Sequence, residues 1–266
     1  MEVYGLIGDP VDHSASPALF DAAFEATDID ACYVTFPVRA SALSTAIAGA
    51  AALGIEGLNV TTPHKTAILE YVEPDVTAER VGAVNTIAFD DDPPRATNTD
   101  ARGFERLLMD LDLTPGRALV LGAGGAAHAY TDALQSAGWS MTIANRTPAA
   151  ARRLAAGRRQ ASGMPLEAAG AIAPEVDLIV NATTVGMGEP SQSPLPSGVI
   201  DADHTVIDAV YDPLETALLR DARAVGATTV DGHRLLLEQA VAAFSFWHGD
   251  NPPREAMAAA LSSGAP

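Results

Sequence analysis

Short apolar segments alternate with amphipathic segments along most of the chain. Runs of four or five apolar residues, such as those within residues 3–7 and 118–121, predict buried strands. Segments with apolar residues three or four positions apart, such as residues 16–26 and 215–225, predict helices with one buried face. Because strands and helices follow one another in turn, the pattern predicts an α/β fold with a mostly parallel sheet.

Two pairs of a hydroxyl residue and proline predict helix starts in the first hundred residues. Ser16 is expected to be an N-cap with Pro17 at the first helical position, and Thr62 with Pro63 repeats this pattern. The segments "AVNTIAF" and "RATNTD" flank the turn-rich "DDDPP", which predicts a hairpin. A further helix is expected to begin at Asp100.

The composition is typical of an α/β protein with an aliphatic core. Hydrophobic residues make up 48% and aromatic residues only 5% of the 266 residues, so Ala, Val, Leu and Ile should supply most of the core. A chain of this length is expected to form two domains or one large one. The sequence has no run of about 18 apolar residues and no basic leader segment. We therefore expect no membrane span and no signal peptide, and a cytoplasmic location.

The charge balance is strongly acidic. The chain carries 34 acidic against 16 basic residues, a net charge of −18. This excess argues against nucleic acid as a partner, because phosphate binding requires a basic surface. It also suggests a surface adapted to high salt, where the Debye length falls to about 3 Å and self-repulsion is screened. The alternative is an ordinary acidic cytosolic protein from a GC-rich genome.

A glycine-rich turn indicates a dinucleotide site. In "LVLGAGGAAHA", Gly122, Gly124 and Gly125 follow a predicted strand and precede a predicted helix, so bare backbone and a helix N-terminus can approach a pyrophosphate. Ala127 stands where the third glycine of the fingerprint is often found, a substitution that the fingerprint allows. Taken alone, the pattern also fits a tight turn without a ligand.

The end of the next predicted strand favours NADP over NAD. An NAD site usually has an acid about 20 residues after the glycines. Here Asn145, Arg146 and Thr147 occupy this position. A guanidinium can pair with the 2′-phosphate of NADP, which a carboxylate would repel. The alternative is that Arg146 is a solvated surface charge.

Lys65, in the segment "GLNVTTPHK", is the only lysine among the 16 Lys and Arg residues. Hydride transfer from a nicotinamide needs a partner group that exchanges a proton with the substrate oxygen. Arginine does so poorly, because its pKa lies above about 12, whereas the pKa of a lysine, about 10.4 in peptides, can be lowered by its surroundings. Lys65 is therefore a candidate acid–base residue. The alternative is an ordinary surface lysine.

No metal site is predicted. The six histidines show no ligand spacing, and neither Cys32 nor the scattered aspartates form a cluster along the sequence. The single cysteine cannot form an internal disulfide, and its apolar surroundings predict a buried structural thiol.

Nine motifs, in order and over nearly the whole chain, resemble the shikimate dehydrogenase family. They are "GDPVDHSASP", "NVTTPHK", "GAVNT", "NTD", "GAGGAA", "NRT", "NATTVGM", "VYDP" and "DGHRLLLEQAVAAFSFWHG". Several are weak alone, but the set is specific. The resemblance implies NADP-dependent, reversible reduction of 3-dehydroshikimate to shikimate, in the biosynthesis of chorismate and aromatic amino acids.

The resemblance also implies a domain organisation. Residues 1–99 would form an N-terminal α/β domain that binds the substrate and carries the catalytic residues. Residues 100–232 would form a Rossmann-like NADP domain, and residues 233–266 would form C-terminal helices that pack on the substrate domain. The expected partner is a small molecule, shikimate or 3-dehydroshikimate, and a homodimer is a further expectation.

Site residues of the family are carried over motif by motif. Lys65 and Asp100 match the catalytic pair, with Lys65 as proton donor to the ketone and Asp100 orienting the lysine and hydrogen-bonding the reacting hydroxyl. Asp100 also opens a predicted helix, so an N-cap role could coexist with catalysis. Ser14 and Ser16 match the serines that bind the substrate carboxylate, and Asn59 is expected to play a supporting role. The substrate set is Ser14, Ser16, Asn59, Thr61, Lys65, Asn85, Asp100, Tyr211 and Gln239. The cofactor set is Gly122, Ala123, Gly124, Gly125, Ala126, Asn145, Arg146, Thr147, Pro148, Ala149, Ala150, Ala209 and Gly232.

Two rival functions stay open at this point. One is a quinate/shikimate dehydrogenase that uses NAD, and the other is a non-catalytic NADP-binding regulator. Ser16 in place of threonine and Arg146 in the cofactor loop favour the NADP-dependent biosynthetic enzyme, and the presence of both Lys65 and Asp100 speaks against the regulator. The chain departs from the family pattern at Ala101, where glycine is usual, a change that we expect to be tolerated.

Overall fold

The computed structural model describes residues 1–12, 14–189, 191–249 and 251–262. The chain divides into two units, each with its own six-stranded sheet. The first unit comprises Met1–Gly103 with Leu237–Pro266, and the second comprises Phe104–Leu236. Most strand pairs in both sheets are parallel, which confirms the predicted α/β class.

The first unit begins with a mixed sheet. Its strands are β1 (Glu2–Gly8), β2 (Ala31–Pro37), β3 (Gly57–Val60), β4 (Glu73–Pro74), β5 (Thr86–Ala88) and β6 (Arg95–Thr97). The helices along this part of the chain are α1 (Ser16–Ala26), α2 (Leu43–Ala52), α3 (Val76–Val81) and α4 (Thr99–Asp110). The sheet order is β2-β1-β3-β5-β6-β4, and β5 runs antiparallel to both of its neighbours. The β5–β6 pair is the predicted hairpin, and aliphatic side chains such as Leu58, Ile68 and Ile87 form a buried core on this sheet.

The second unit has a fully parallel sheet. Its strands are β7 (Arg117–Leu121), β8 (Ser140–Asn145), β9 (Ala161–Pro165), β10 (Leu178–Asn181), β11 (Thr205–Asp208) and β12 (Thr228–Val230), and its helices are α5 (Gly125–Ser136), α6 (Pro148–Ala156), α7 (Ala169–Ile172) and α8 (Ala217–Ala224). The sheet order is β12-β11-β10-β7-β8-β9. Parallel pairing places the carboxyl ends of all these strands at one edge, the edge at which such sheets bind ligands.

Two C-terminal helices complete the fold, α9 (Gly232–His248) and α10 (Arg254–Ser262). Within the first unit, α10 packs against α1, and Trp247 of α9 lies on the Tyr4 ring with a centroid separation of 4.9 Å. The indole Nε1 of Trp247 donates to the Ile87 carbonyl at 2.8 Å. The C-terminal helices are thus part of the core of the first unit.

Helices α4 and α9 each run through the division between the units. The division lies after Gly103 and before Leu237, about one helical turn beyond the expected limits at residues 99 and 232. Sequence motifs indicate where a helix begins, whereas packing decides which of its turns belong to each unit.

The start of α1 and strand β9 differ from the sequence expectations. Ala15, not Ser16, is the N-cap of α1, and its side chain makes no capping hydrogen bond. Strand β9 has no counterpart in the predicted elements, because "ASGMP" lacks an apolar period. The strand pairs with β8, and Gly163 lets it approach the backbone of α6 closely, where any Cβ would overlap Arg152.

Candidate active site

A short ion pair joins the only lysine of the chain to the first turn of α4. Lys65 Nζ lies 2.6 Å from Asp100 Oδ2, and the two side chains are 15% and 11% exposed. The pair is shielded from bulk water on most sides but still reachable from outside. The structure thus brings together the two residues predicted to form the catalytic pair.

The backbone around Lys65 is held by tertiary hydrogen bonds rather than by a helix. The Lys65 carbonyl accepts a 2.7 Å hydrogen bond from Val84 N. In a helix it would instead accept from the N–H four residues later. His64 is 1% exposed, and its Nε2 donates to a backbone carbonyl after β2 at 2.6 Å. The predicted helix start at Thr62–Pro63 is therefore wrong. These residues form a turn, followed by the 3₁₀ helix Ala67–Tyr71.

Asn98, not Asp100, caps α4. Asn98 Oδ1 accepts from Ala101 N at 3.0 Å, and Asn98 Nδ2 donates to the Ala83 carbonyl at 2.9 Å. The N-cap role considered for Asp100 thus belongs to Asn98. The Asp100 carboxylate is left for Lys65 and lies in the first helical turn, where the helix dipole favours a negative charge.

A buried polar network lies beneath the ion pair, between β2, β3 and β5. Asn59, 5% exposed, accepts from the Tyr33 hydroxyl at 2.7 Å and donates to Thr86 Oγ1 at 3.0 Å and to the Asn85 carbonyl at 3.2 Å. Burial raises the pKa of the Tyr33 hydroxyl well above its usual range, so this group stays protonated and can donate. The polar atoms of the Asn59 side chain are thus all engaged in hydrogen bonds inside the protein.

Two serines meet at the N-terminus of α1. Ser14 Oγ donates to Ser16 Oγ at 3.1 Å and accepts from Ser16 N at 3.2 Å. Ser16 is buried and Ser14 partly exposed. Two hydroxyl groups at a helix N-terminus suit an anionic group such as a carboxylate.

The other predicted substrate residues are divided between the units. Gln239 lies against α4, because a Cβ on Gly103 would come within 2.7 Å of Gln239 N. Thr61 N donates to the Ile7 carbonyl at 2.9 Å, which extends the β1–β3 pairing. Tyr211 belongs to the second unit, in the loop after β11, whereas the other eight residues of the predicted substrate set belong to the first.

In the second unit, the glycine-rich turn leaves space above the start of α5. Gly122 has φ +112°, a conformation that glycine adopts easily, and a Cβ there would lie 2.8 Å from the Ala182 carbonyl oxygen. Gly124 is the N-cap of α5, and no described atom lies within 4 Å of the place of its Cβ. Gly122 therefore shapes the turn, while Gly124 keeps the helix N-terminus open to a phosphate group. Ala123, Gly125 and Ala126 are half-buried beside it.

The loop between β8 and α6 carries an exposed cation. Asn145 Nδ2 donates to the Thr147 carbonyl at 3.1 Å, and Pro148, followed by Ala149 and Ala150, begins α6. Arg146 is exposed, and no carboxylate of the described residues forms an ion pair with it. The chain has five arginines and no acidic residue between Asp132 and Glu167, so this stretch of an otherwise acidic sequence carries a positive charge. Arg146 fits the predicted 2′-phosphate contact.

Asp208 is a buried residue at the carboxyl edge of the second sheet that the sequence analysis did not single out. Its carboxylate is fully buried and accepts from Asn181 Nδ2 at 2.8 Å, Val210 N at 3.0 Å and Thr216 Oγ1 at 2.7 Å. Burial raises the pKa of this carboxyl. Asp208 thus connects the end of β10 with the loop after β11 at the carboxyl edge of the sheet. Its only signal in the sequence is an acid at the end of an apolar run.

The remaining predicted cofactor contacts lie at the same edge of the second unit. Ala209 N donates to the Asn181 carbonyl at 2.9 Å. Gly232 begins α9 directly against the loop after β11, where a Cβ would come within 2.7 Å of Tyr211 N. Val210 and Tyr211 are thus held close to the start of α9 by backbone packing.

The described residues contain no group of three or more His, Cys, Asp or Glu side chains placed to hold a metal ion. Within the same residues, no helix is long and apolar enough to cross a lipid bilayer.

Comparison with protein families matches three consecutive parts of the chain. Residues 6–87 match the family described as shikimate dehydrogenase substrate binding domain, residues 106–187 match shikimate / quinate 5-dehydrogenase, and residues 232–261 match the shikimate 5′-dehydrogenase C-terminal domain. The NADP(+)-dependent shikimate dehydrogenase of Natronomonas pharaonis is 49% identical over 99% of both chains. The chain belongs to the shikimate dehydrogenase family.

Solved structures of shikimate dehydrogenase and of a related enzyme share the whole fold. The Thermus thermophilus enzyme, in complex with NADP(H) and shikimate, is 36% identical over 100% of both chains with a TM-score of 0.91. Quinate dehydrogenase from Corynebacterium glutamicum, in complex with NAD, is 33% identical over 98% of this chain and 99% of its own, also with a TM-score of 0.91. The family predicted from the nine motifs is thus confirmed, and so is the Rossmann-like α/β class.

Proposed function

We propose that the chain is an NADP-dependent shikimate dehydrogenase, EC 1.1.1.25, which reversibly reduces 3-dehydroshikimate to shikimate in the biosynthesis of chorismate and aromatic amino acids. The observation that carries this assignment is the 2.6 Å contact between Lys65 Nζ and Asp100 Oδ2 in a largely buried setting. A sole lysine paired with a carboxylate in this way suits proton exchange with a carbinol oxygen. Relatives that carry this function match the chain over nearly its full length.

The residues of the first unit account for substrate binding and proton transfer. In the direction of reduction, Lys65 Nζ donates a proton to the ketone oxygen as the carbon accepts hydride, and in oxidation the same nitrogen takes the proton back. Asp100 holds the ammonium group in place and accepts a hydrogen bond from the reacting hydroxyl. Ser14 and Ser16 bind the substrate carboxylate at the start of α1, and Thr61, Asn85 and Gln239 complete the polar contacts within this unit.

The residues of the second unit fit NADP. The space above Gly124 and the bare backbone of residues 122–126 suit a pyrophosphate, and exposed Arg146 with residues 145–150 suits a 2′-phosphate. Ala209 and Gly232 supply backbone contacts at the carboxyl edge of the sheet. When bound, NADPH supplies the hydride for the reduction.

A single spectrophotometric experiment tests the assignment. Reduction of cofactor at 340 nm is followed with shikimate or quinate as substrate and NADP or NAD as cofactor, each in dilute buffer and in molar KCl. Shikimate with NADP should give the highest kcat/KM. Preference for quinate with NAD would support the rival dehydrogenase, and NADP binding without oxidation of either substrate would support the regulator.

The proposal also covers the location of the protein, its partners and its oligomeric state. A cytoplasmic location, no nucleic acid partner and a homodimer are assigned to this enzyme. Light scattering of the purified protein at working salt measures the last of these, and a monomeric mass would contradict it.

A further inference from the structure

The side-chain amide of Asn85 has only one orientation open to it. Asn85 Oδ1 lies 2.6 Å from Thr99 N, and the hydroxyls of Thr99 and Thr86 each lie 3.1 Å from the same atom. A backbone N–H can only donate, so the atom facing Thr99 N must be the amide oxygen. The NH₂ end of the Asn85 side chain therefore faces away from these three donors.

The two threonines that surround this oxygen are themselves held in place. Thr86 and Thr99 are both fully buried, and their hydroxyl oxygens lie 3.0 Å apart. Thr86 Oγ1 accepts from Asn59 Nδ2 at 3.0 Å, and the Asn59 oxygen is in turn bound to the Tyr33 hydroxyl. Each of the two hydroxyls can donate to Asn85 Oδ1, and across the 3.0 Å contact one hydroxyl can instead donate to the other.

The Asn85 amide is tied by the backbone to both members of the ion pair. Thr99 immediately precedes Asp100, and Val84, which immediately precedes Asn85, donates to the Lys65 carbonyl at 2.7 Å. No described residue accepts a hydrogen bond from the Asn85 NH₂. The Asn85 oxygen is therefore hydrogen-bonded within the protein, while its two N–H donors are available to a ligand.

We propose that Thr99 is a positioning residue, which acts together with Thr86 to hold Asn85 as a hydrogen-bond donor to a hydroxyl oxygen of the substrate. This inference rests on the proposed function, because it takes a polyhydroxylated substrate as the acceptor. The donor bond is present in both the ground state and the transition state, so it acts on substrate affinity more than on turnover.

The first test compares Thr99→Val, which removes the hydroxyl at nearly constant volume, with Thr99→Ser, which keeps it. Wild-type oxidation of shikimate with NADP is measured first, and its absence would end the proposed function rather than this inference. Thr99→Val should raise the KM for shikimate about fivefold, the worth of one ordinary hydrogen bond, with kcat within about twofold. The KM for NADP should not change, and Thr99→Ser should restore the KM for shikimate. Equal losses for the valine and serine variants would overturn the inference.

A double-mutant cycle tests whether Thr99 acts through Asn85. In an Asn85→Ala background, Thr99→Val should change the KM for shikimate by less than about twofold, because the amide that it positions is gone. The same fivefold loss in that background would show a merely structural role and overturn the inference. Thermal unfolding is recorded for each variant. If Thr99→Val does not fold, Thr86→Val takes its place in the same cycle with the same two outcomes.

Discussion

In the first unit the side chains of the candidate site bond to one another, whereas in the second unit the candidate cofactor turn keeps its backbone bare. Lys65, Asp100, Asn85 and Asn59 are held by bonds of 2.6 to 3.2 Å within the protein. Around Gly124, by contrast, no described atom lies within 4 Å of the place of a Cβ. A proton-transfer site needs groups of defined position, while a phosphate site needs unoccupied N–H donors.

The two units also differ in charge. The first holds 6 basic and 19 acidic residues, and the second holds 10 basic and 15 acidic residues. In the proposed function, two phosphate-bearing groups of NADP approach the second unit, and its five arginines between residues 146 and 159 offset the acidity there. The proposed substrate has a single carboxylate, for which the first unit offers local hydroxyls instead.

The largest expected effect concerns the side chain on which the first unit depends most. Lys65→Ala should lower kcat about a thousandfold with a modest change in the KM for shikimate, because the proton donor is lost. Lys65→Arg keeps the charge next to Asp100 but not ready proton exchange, and it should lose nearly as much. Steady-state kinetics at 340 nm measure both, and near-normal turnover of the arginine variant would refute the proton-transfer role.

In the second unit, adding a side chain should be the damaging change. Gly124→Ala should weaken NADPH binding about tenfold without lowering the melting temperature, because its methyl group meets no described atom but fills the space above the start of α5. Gly49→Ala, in α2, is a matched control, since its Cβ also meets no described atom. Titration of NADPH fluorescence measures the affinity. Unchanged affinity of the Gly124 variant would place the pyrophosphate elsewhere.

The cation of the second unit should decide between the two cofactors. Arg146→Ala should lower kcat/KM for NADP about tenfold and leave the value for NAD within about twofold, as expected for loss of one charge-assisted contact. Arg159→Ala, another exposed arginine of this basic region, is the control for a general charge effect. Equal losses with both cofactors, or from both variants, would contradict a specific 2′-phosphate contact.

The charge difference predicts that the first unit depends more on salt. Each unit holds one of the two tryptophans, Trp247 in the first and Trp139 in the second, so Trp139→Phe and Trp247→Phe give separate fluorescence reports. Lowering KCl from about 1 M to about 0.1 M lengthens the Debye length from about 3 to about 10 Å. The melting temperature reported by Trp247 should then fall about 5 °C further than that reported by Trp139. This difference corresponds to roughly 1 kcal/mol in the free energy of unfolding.

Equal shifts of the two melting temperatures would show that the charge difference between the units does not affect their salt dependence. No shift in either would contradict the high-salt hypothesis itself. Relatives from halophilic organisms fit that hypothesis.

The smallest expected effect concerns the apolar side of the first unit. His248 packs on Tyr4, Phe24 and Phe244, and burial lowers its pKa. In the folded state the ring is neutral, while in the unfolded chain it binds a proton below about pH 6.5, so its contribution to stability is lost as pH falls below that value. His248→Phe should make the free energy of unfolding fall less between pH 7 and pH 5. Urea unfolding at a series of pH values measures this, and parallel pH profiles would contradict it.

Much of the fold and of the site follows from local patterns. The strand and helix alternation, the β5–β6 hairpin and the glycine-rich turn depend on residue type and spacing, which a chain carries at every stage of folding. Lys65 stands out because composition bias left it as the only lysine, and Asp100 stands out because it begins a recognisable helix.

Other features depend on which groups meet in space. The turn at Thr62–Pro63 has the local signal of a helix start, but the bond from Val84 N to the Lys65 carbonyl overrides that signal. The sequence pattern offers Asp100 as a possible cap of α4, whereas in the structure Asn98 caps this helix and Asp100 pairs with Lys65.

The sequence by itself determined the family, the α/β class and the chemical types available to the site, since these depend on which residues are present and in what order. Only the tertiary structure decided how those residues are used: the Asn59 amide is hydrogen-bonded within the protein, the Asn85 oxygen faces inward, and Asp208 links the end of β10 to the loop after β11. The reason is physical. A hydrogen bond is a short, directional contact between groups far apart in the chain, and its partners exist only once the fold has brought them within about 3 Å.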